Sequence, residues 1–112
     1  MAEISSDVIR GYNDTMILCI LYDKPSYGYE ISKEIRRITD SKYIIKETTL
    51  YSAFTRMEKN GYIVSFTDDV LSGGKKRTYY RITDEGKEYY REKCEEWDLT
   101  RDVIGRFIKR GN

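Results

Sequence analysis

Residues 48–86 read TTLYSAFTRMEKNGYIVSFTDDVLSGGKKRTYYRITDEG, a short helical pattern that runs straight into an alternating hairpin tipped with Gly-Gly-Lys-Lys-Arg. At 100° per residue, Leu50, Ala53, Phe54 and Met57 fall on one side of the helix, and Thr48, Ser52, Thr55 and Lys59 on the other. The helix is expected from about Glu47 to Asn60, with Gly61 in the left-handed position that ends it. Strands are expected at Tyr62 to Thr67, with Val64 and Phe66 on one face, and at Lys76 to Ile82, with Thr78, Tyr80 and Ile82 on one face. A helix whose outward stripe is small and hydroxylated can lie deep in a DNA major groove, and a basic hairpin beside it can clamp the flanking phosphates. This order predicts an α+β fold: a winged helix-turn-helix of three helices and a β-hairpin wing, with a long C-terminal helix.

Upstream, Val8, Ile9, Tyr12, Met16, Ile17, Ile20 and Leu21 recur at spacings of three and four, which predicts one helix from about Asp7 to Tyr22 capped by Ser5 or Ser6. Pro25 stops it near Asp23, and Ser26 is then expected to cap a second helix carrying Tyr27, Ile31, Ile35 and Ile38 on one stripe. Gly28, in the first turn of that helix, reads as a close approach of another backbone. Tyr43, Ile44 and Ile45 form a brief strand-like stretch that would add a third strand to the hairpin.

Downstream, Thr83 is placed to cap a last helix with Asp84 and Glu85 in its first turn, running to about Lys109, roughly 39 Å at 1.5 Å per residue. Tyr90, Cys94, Trp97, Arg101, Ile104 and Ile108 recur at alternating spacings of four and three, with Val103 and Phe107 beside them. A single projecting helix cannot bury that seam alone. A twofold dimer through Tyr12, Tyr90, Cys94, Trp97, Ile104, Phe107 and Ile108 would bury it, and so would folding back onto the same chain. Near the axis, Trp97 and Tyr90 could line a cavity for a flat hydrophobic or aromatic effector, or could simply pack. The expected organisation is a DNA-binding domain over 1–82, of which 7–22 also serves the dimer, and a dimerisation helix over 83–112.

Bulk properties narrow the classes. With 112 residues, 35% of them charged and 13% aromatic, the chain is too aromatic for a disordered tail and too polar for a membrane protein. No apolar run approaches the roughly eighteen residues that span a bilayer, and the N-terminus lacks a secretory pattern, so a cytoplasmic location is expected. Histidine is absent, which removes the commonest general base and zinc ligand; neither an enzyme nor any metal or cofactor is expected. Cys19 and Cys94 sit in apolar helical patterns without ligand spacing and read as buried, reduced thiols. The net charge is only +1, but between Lys33 and Arg81 eleven basic residues face six acidic ones, whereas from Thr83 onward seven face eight. The basic half is the expected binding half.

Within it, Thr48, Ser52, Thr55 and Lys59 form the stripe that would face the groove, with Thr49, Tyr51 and Arg56 flanking it toward phosphate oxygens. In the wing, Gly73 and Gly74 free the backbone and Lys75, Lys76 and Arg77 protrude, an arrangement that counterion release rewards. The expected partners are double-stranded DNA with a pseudo-palindromic operator and a second copy of the chain. The competing expectation is a winged-helix protein-interaction module without specific DNA binding, for which the near-neutral net charge argues.

Three segments, MILCILYDKPSYGYEI from Met16, TTLYSAFTRMEKNGYI from Thr48 and KKRTYYRITDEG from Lys75, resemble the PadR family of transcriptional regulators, and the single C-terminal helix looks like its smaller subgroup. The resemblance implies a winged-helix dimer that represses nearby genes and is released by a small molecule or other cue. It also implies a recognition helix from Glu47 to Asn60 that includes Tyr51, a wing around Lys75 to Arg77, and a dimer interface between the helix starting at Asp84 and the N-terminal helix near Tyr12. Ser52 stands where many relatives have proline, and Asn13-Asp14-Thr15 is more polar than the usual start of the first helix.

Overall fold

A three-stranded antiparallel sheet, with Thr78–Ile82 in the middle between Ser26–Tyr27 and Ile63–Thr67, lies against a cluster of helices. The computed structural model describes residues 3–68, 73–74 and 76–111. In chain order the elements are α1 (Ser6–Ile9), α2 (Asn13–Leu21), β1 (Ser26–Tyr27), α3 (Gly28–Ile38), α4 (Glu47–Lys59), β2 (Ile63–Thr67), β3 (Thr78–Ile82) and α5 (Asp84–Gly105). The core gathers Ile17, Leu18 and Leu21 of α2, Ile31 and Ile35 of α3, Leu50, Ala53, Phe54 and Met57 of α4, and Ile63, Tyr80 and Ile82 of the sheet. Phe54 stacks on Tyr80 with centroids 4.1 Å apart, which joins α4 to the middle strand.

The single N-terminal helix expected over Asp7 to Tyr22 is in fact two. Ser5 caps α1 as expected, accepting from the Val8 amide, but the chain leaves helical geometry at Tyr12 (φ −116°, ψ −6°) just after Gly11, a poor helix former. Tertiary contacts hold the new start. The Tyr12 ring meets Trp97 edge-on at 5.4 Å, the Tyr43 hydroxyl donates to Asn13 at 2.7 Å, and Asp14 is buried between α4 and α5.

Ser26 does not cap the second helix. It sits in β1, pairing with Tyr80 while Tyr27 pairs with Tyr79, and its hydroxyl donates to Glu30. The third strand is therefore this two-residue edge. Tyr43 to Ile45 is loop that drops Ile45 into the core and does not pair with the sheet. In the hairpin, Ile63 pairs with Ile82 on the core side, and Phe66 pairs with Tyr79 on the outer side, where the Tyr79 ring is flanked by Phe66 at 5.7 Å and Tyr27 at 5.3 Å. Val64 and Phe66 do share a face, but it is opposite to that of Tyr80 and Ile82.

α4 ends where expected. Asn60 is its cap and Gly61 takes φ +80°. The junction from there to α5 is tightly bound: Thr83 accepts from the Gly86 amide at 3.0 Å, donates its hydroxyl proton to the Gly61 carbonyl at 2.6 Å, and donates its own N–H to the Tyr62 carbonyl at 3.0 Å. Tyr62 stacks on Tyr89 at 4.1 Å, nearly parallel. A Cβ on Gly86 would lie 2.0 Å from the Tyr62 carbonyl oxygen, so only glycine fits this close passage. α5 runs for 22 residues, about 33 Å, and stops at Gly105, short of the expected Lys109, because Gly105 is a weak helix former beside the Arg106 cap. Its second half leaves the body of the protein with Leu99, Val103 and Ile104 exposed, and Phe107 and Ile108, just past its end, are exposed as well. No helix among the described residues is long and apolar enough to cross a membrane.

The cysteines correct another expectation. Both are free, but Cys19 is exposed and Cys94 half-buried, because the buried stripe of α2 runs through Ile17, Leu18 and Leu21 and turns Cys19 outward.

Candidate nucleic-acid interface

The two sides of α4 separate as its sequence period requires. Leu50, Ala53, Phe54 and Met57 are buried, and Thr48, Tyr51, Ser52, Thr55, Arg56 and Lys59 line one open groove along the outer side. Acid is absent from that lining. The Thr55 hydroxyl donates back to the Tyr51 carbonyl at 3.0 Å, which leaves its oxygen to accept and its methyl to make apolar contact. Thr49 is placed elsewhere: it is half-buried and borders a different hollow, with Asn13, Tyr43 and Lys46.

Tyr51 stands at a corner. Its ring meets Phe54 edge-on at 5.4 Å, 45% of the residue is exposed, and its hydroxyl lies over Gly28, where a Cβ would come within 2.3 Å. The close neighbour of Gly28 is thus a phenol of α4, not the backbone expected. Tyr51 also borders a second cleft, of about 420 Å³, between α4 and the wing, lined by Tyr27, Gly28, Tyr29, Lys76, Arg77, Thr78 and Tyr80 as well. Gly28 and Tyr29, the first residues of α3, line this cleft, and the first-turn amides receive no side-chain cap from Tyr27.

In the wing, Gly73 and Gly74 have φ of +70° and +93°, so the turn does need residues free of a side chain. Lys76 is exposed. Arg77 is half-buried, its guanidinium 4.3 Å above the Tyr27 ring, which fixes its direction. Lys75 lies outside the described residues.

Arg56 is engaged. Its guanidinium forks onto both oxygens of the buried Asp14 carboxylate, and the Tyr89 hydroxyl donates to the same carboxylate at 3.0 Å. Hydrogen bonding to Asp14 holds the Arg56 proton more firmly than usual. Burial, with the Asp14 charge nearby, pushes the Tyr89 phenol up to about 12. Tyr27 was expected on the apolar stripe of the second helix and instead lies in β1 beside the cleft, Asp14 was noted only as part of a polar helix start, and Tyr29 was not singled out from the sequence. The pair of tyrosines around Gly28 was a visible signal, whereas the Asp14–Arg56 pairing spans 42 positions and had none.

Of the residues expected at a subunit interface, Tyr12 and Trp97 meet within one chain, and Trp97 is still 43% exposed. Tyr90 packs against Tyr22 at 5.4 Å and lines an apolar hollow of about 210 Å³ with Thr15, Met16, Cys19, Ile20, Ile35, Ile38 and Thr39. Trp97 is not among the residues that line that hollow. The Tyr90 phenol is held well above its ordinary range, first by hydrogen bonding with the Cys19 thiol and then by burial.

A helix with a polar open side, a preceding helix whose first residues border the adjoining cleft, and a cationic hairpin form a winged helix-turn-helix. Residues 17–92 match the transcriptional regulator PadR-like family, and the chain belongs to it. Among solved structures, a transcriptional regulator from Clostridium thermocellum is 62% identical, with a TM-score of 0.86 over 93% of this chain and 100% of that one. A PadR family transcription regulator from hypervirulent Clostridium difficile is 38% identical, with a TM-score of 0.76 over 88% of this chain and 99% of that one. An uncharacterised protein of Lysinibacillus sphaericus is 45% identical over 95% of this chain and 96% of its own length.

Proposed function

We propose that the protein is a homodimeric, sequence-specific DNA-binding repressor in which 1–82 reads the operator and α5 joins the subunits. The observation that carries this reading is the acid-free outer groove of α4, continuous through Tyr51 with the cleft that holds Lys76, Arg77 and the uncapped start of α3. Thr48, Ser52, Thr55 and Lys59 face the base edges, and Tyr51 turns toward the backbone. A phosphate in the cleft would meet helix amides and two cations at once. The exposed apolar residues of α5 favour a second copy as its partner, whose twofold axis would set two recognition helices on a pseudo-palindromic site. The hollow beside Tyr90 and Cys19 has the lining for a small apolar effector that relieves repression.

The test is a gel shift of the DNA upstream of the gene across a salt series, with an unrelated fragment as competitor. A discrete, competitor-resistant complex is expected. Replacing Lys76 and Arg77 by alanine should flatten the salt slope by about one for each phosphate that is no longer neutralised. Equal, weak binding to both fragments by the unaltered protein would refute operator recognition and favour a protein-interaction module.

A further inference from the structure

Asp14 belongs to the start of α2, yet its carboxylate is used by two other helices. Arg56 of α4 takes both oxygens, with Nη2 to Oδ1 at 2.9 Å, and Tyr89 of α5 donates to Oδ2 at 3.0 Å. The aspartate side chain is 7% exposed and the arginine side chain 51%. That asymmetry matters, because the guanidinium is anchored from the inside while its outer edge lines the groove of α4 with Tyr51, Ser52 and Thr55. Five N–H donors are available to a guanidinium, and two are taken up by the fork, so about three remain for a ligand. The carboxylate also cancels the charge locally. An arginine held in this way offers direction without adding to the general attraction for phosphate.

We propose that Asp14 is a positioning residue for DNA recognition: it makes Arg56 a fixed, charge-balanced contact on the outer side of α4 and, through Tyr89, ties that contact to the placement of α5. This inference rests on the reading of α4 as the helix that faces DNA. The link to α5 is stiff, since the Tyr89 ring is stacked on Tyr62, immediately beyond the end of α4. A shift of α5 relative to α2 moves the Tyr89 hydroxyl away from Asp14 and loosens the arginine. The same carboxylate therefore serves both to sharpen reading of the groove and to report on the dimer helix.

The test compares operator and unrelated DNA, each across a salt series, for the full-length protein and two variants. In Asp14→Asn the shape is kept, the anchor is weakened and one negative charge is removed. Non-specific binding should rise, the salt slope should steepen by about one, and the ratio of operator to non-specific affinity should fall about tenfold. Tyr89→Phe keeps the ring stack and the net charge, so the slope should stay and the ratio alone should fall several-fold. If Asp14→Asn lowers both affinities in parallel with an unaltered slope, or changes neither, Asp14 is structural only and the proposal is overturned. Should that variant not fold, a Tyr89→Phe protein with the unaltered ratio overturns it instead. An unaltered protein that shows no operator preference overturns DNA recognition itself, a different result from a preference that survives both substitutions.

Discussion

Gly28→Ala should separate stability from DNA binding. The added Cβ would lie 2.3 Å from the Tyr51 hydroxyl and 2.9 Å from its Cζ, so the ring tip must retreat by about 1.1 Å to restore the 3.4 Å of ordinary contact. It can do so, because the residue is 45% exposed and free to turn toward solvent. On the stability side, alanine in place of glycine in a helix contributes about 0.4–1 kcal/mol. Weakening the Tyr51–Phe54 edge contact costs about 0.5–1.5 kcal/mol, so the net change should stay within about 1 kcal/mol of zero. Binding has no such offset. A hydrogen bond to a phosphate is worth about 1.5–3 kcal/mol and is broken by a displacement of that size, which predicts roughly 10- to 150-fold weaker operator binding. Urea denaturation and anisotropy with labelled operator would measure the two effects. The decisive arm is the same substitution in a Tyr51→Ala background, where the obstruction is gone. There Gly28→Ala should stabilise the fold and leave binding where Tyr51→Ala has put it. A Gly28→Ala protein that binds normally, or a penalty that persists without the tyrosine, would refute the reasoning.

Gly86→Ala offers no such escape: its Cβ would meet the Tyr62 backbone oxygen at 2.0 Å and Ile82 Cγ1 at 2.8 Å, so α5 must lift from the sheet, and a loss of about 2–4 kcal/mol is expected in chemical denaturation, a loss below about 1 kcal/mol being the contrary result. Trp97→Ala removes the partner of Tyr12 and should weaken the proposed dimer by about 10- to 30-fold in sedimentation at a series of concentrations; an unchanged dimer would exclude this residue from the interface, and a monomeric unaltered protein would refute the dimer itself. Alkaline titration carries a definite sign. Tyr89 is held at about 12 against about 10 for a free phenol, and Tyr43, Tyr80 and Tyr90 are also raised, so their stabilising contribution is complete below about pH 10 and disappears as pH climbs through the folded values. Phenolate absorbance recorded with circular dichroism should show a late group of tyrosines that ionises together with loss of helix. Ionisation of all eleven in one step near pH 10, with the helices intact, would contradict it.

What was legible in the sequence is what local periodicity encodes. α4 has one side of Leu50, Ala53, Phe54 and Met57 and ends at a glycine, so both its extent and its faces followed from spacing. The break at Gly11 and Tyr12 was hidden because the apolar spacing passes through it unchanged, and the contacts that hold it come from Tyr43, Arg56, Tyr89 and Trp97, all distant in sequence. A two-residue strand shows no alternation, so β1 was invisible until β3 supplied its partner. The outer groove of α4 was read residue by residue, apart from Thr49. Its flank was not: that Arg56 is already bonded, and that Gly28 exists for Tyr51, are facts of tertiary approach.

On the proposed dimer, the exposed apolar residues of α5 would make gene control depend on the amount of regulator in a non-linear way. If the species that grips an operator is a pair of chains joined along that helix, then well below the dimer dissociation constant its abundance grows as the square of the total. Halving its concentration would then cut operator-competent molecules about fourfold, and doubling it would raise them about fourfold. A repressor acting on its own promoter would correct its level more sharply with this helix than a monomer could. Shortening the apolar run after Trp97 would move that threshold to higher protein concentration, without touching a single residue assigned to the DNA-facing groove.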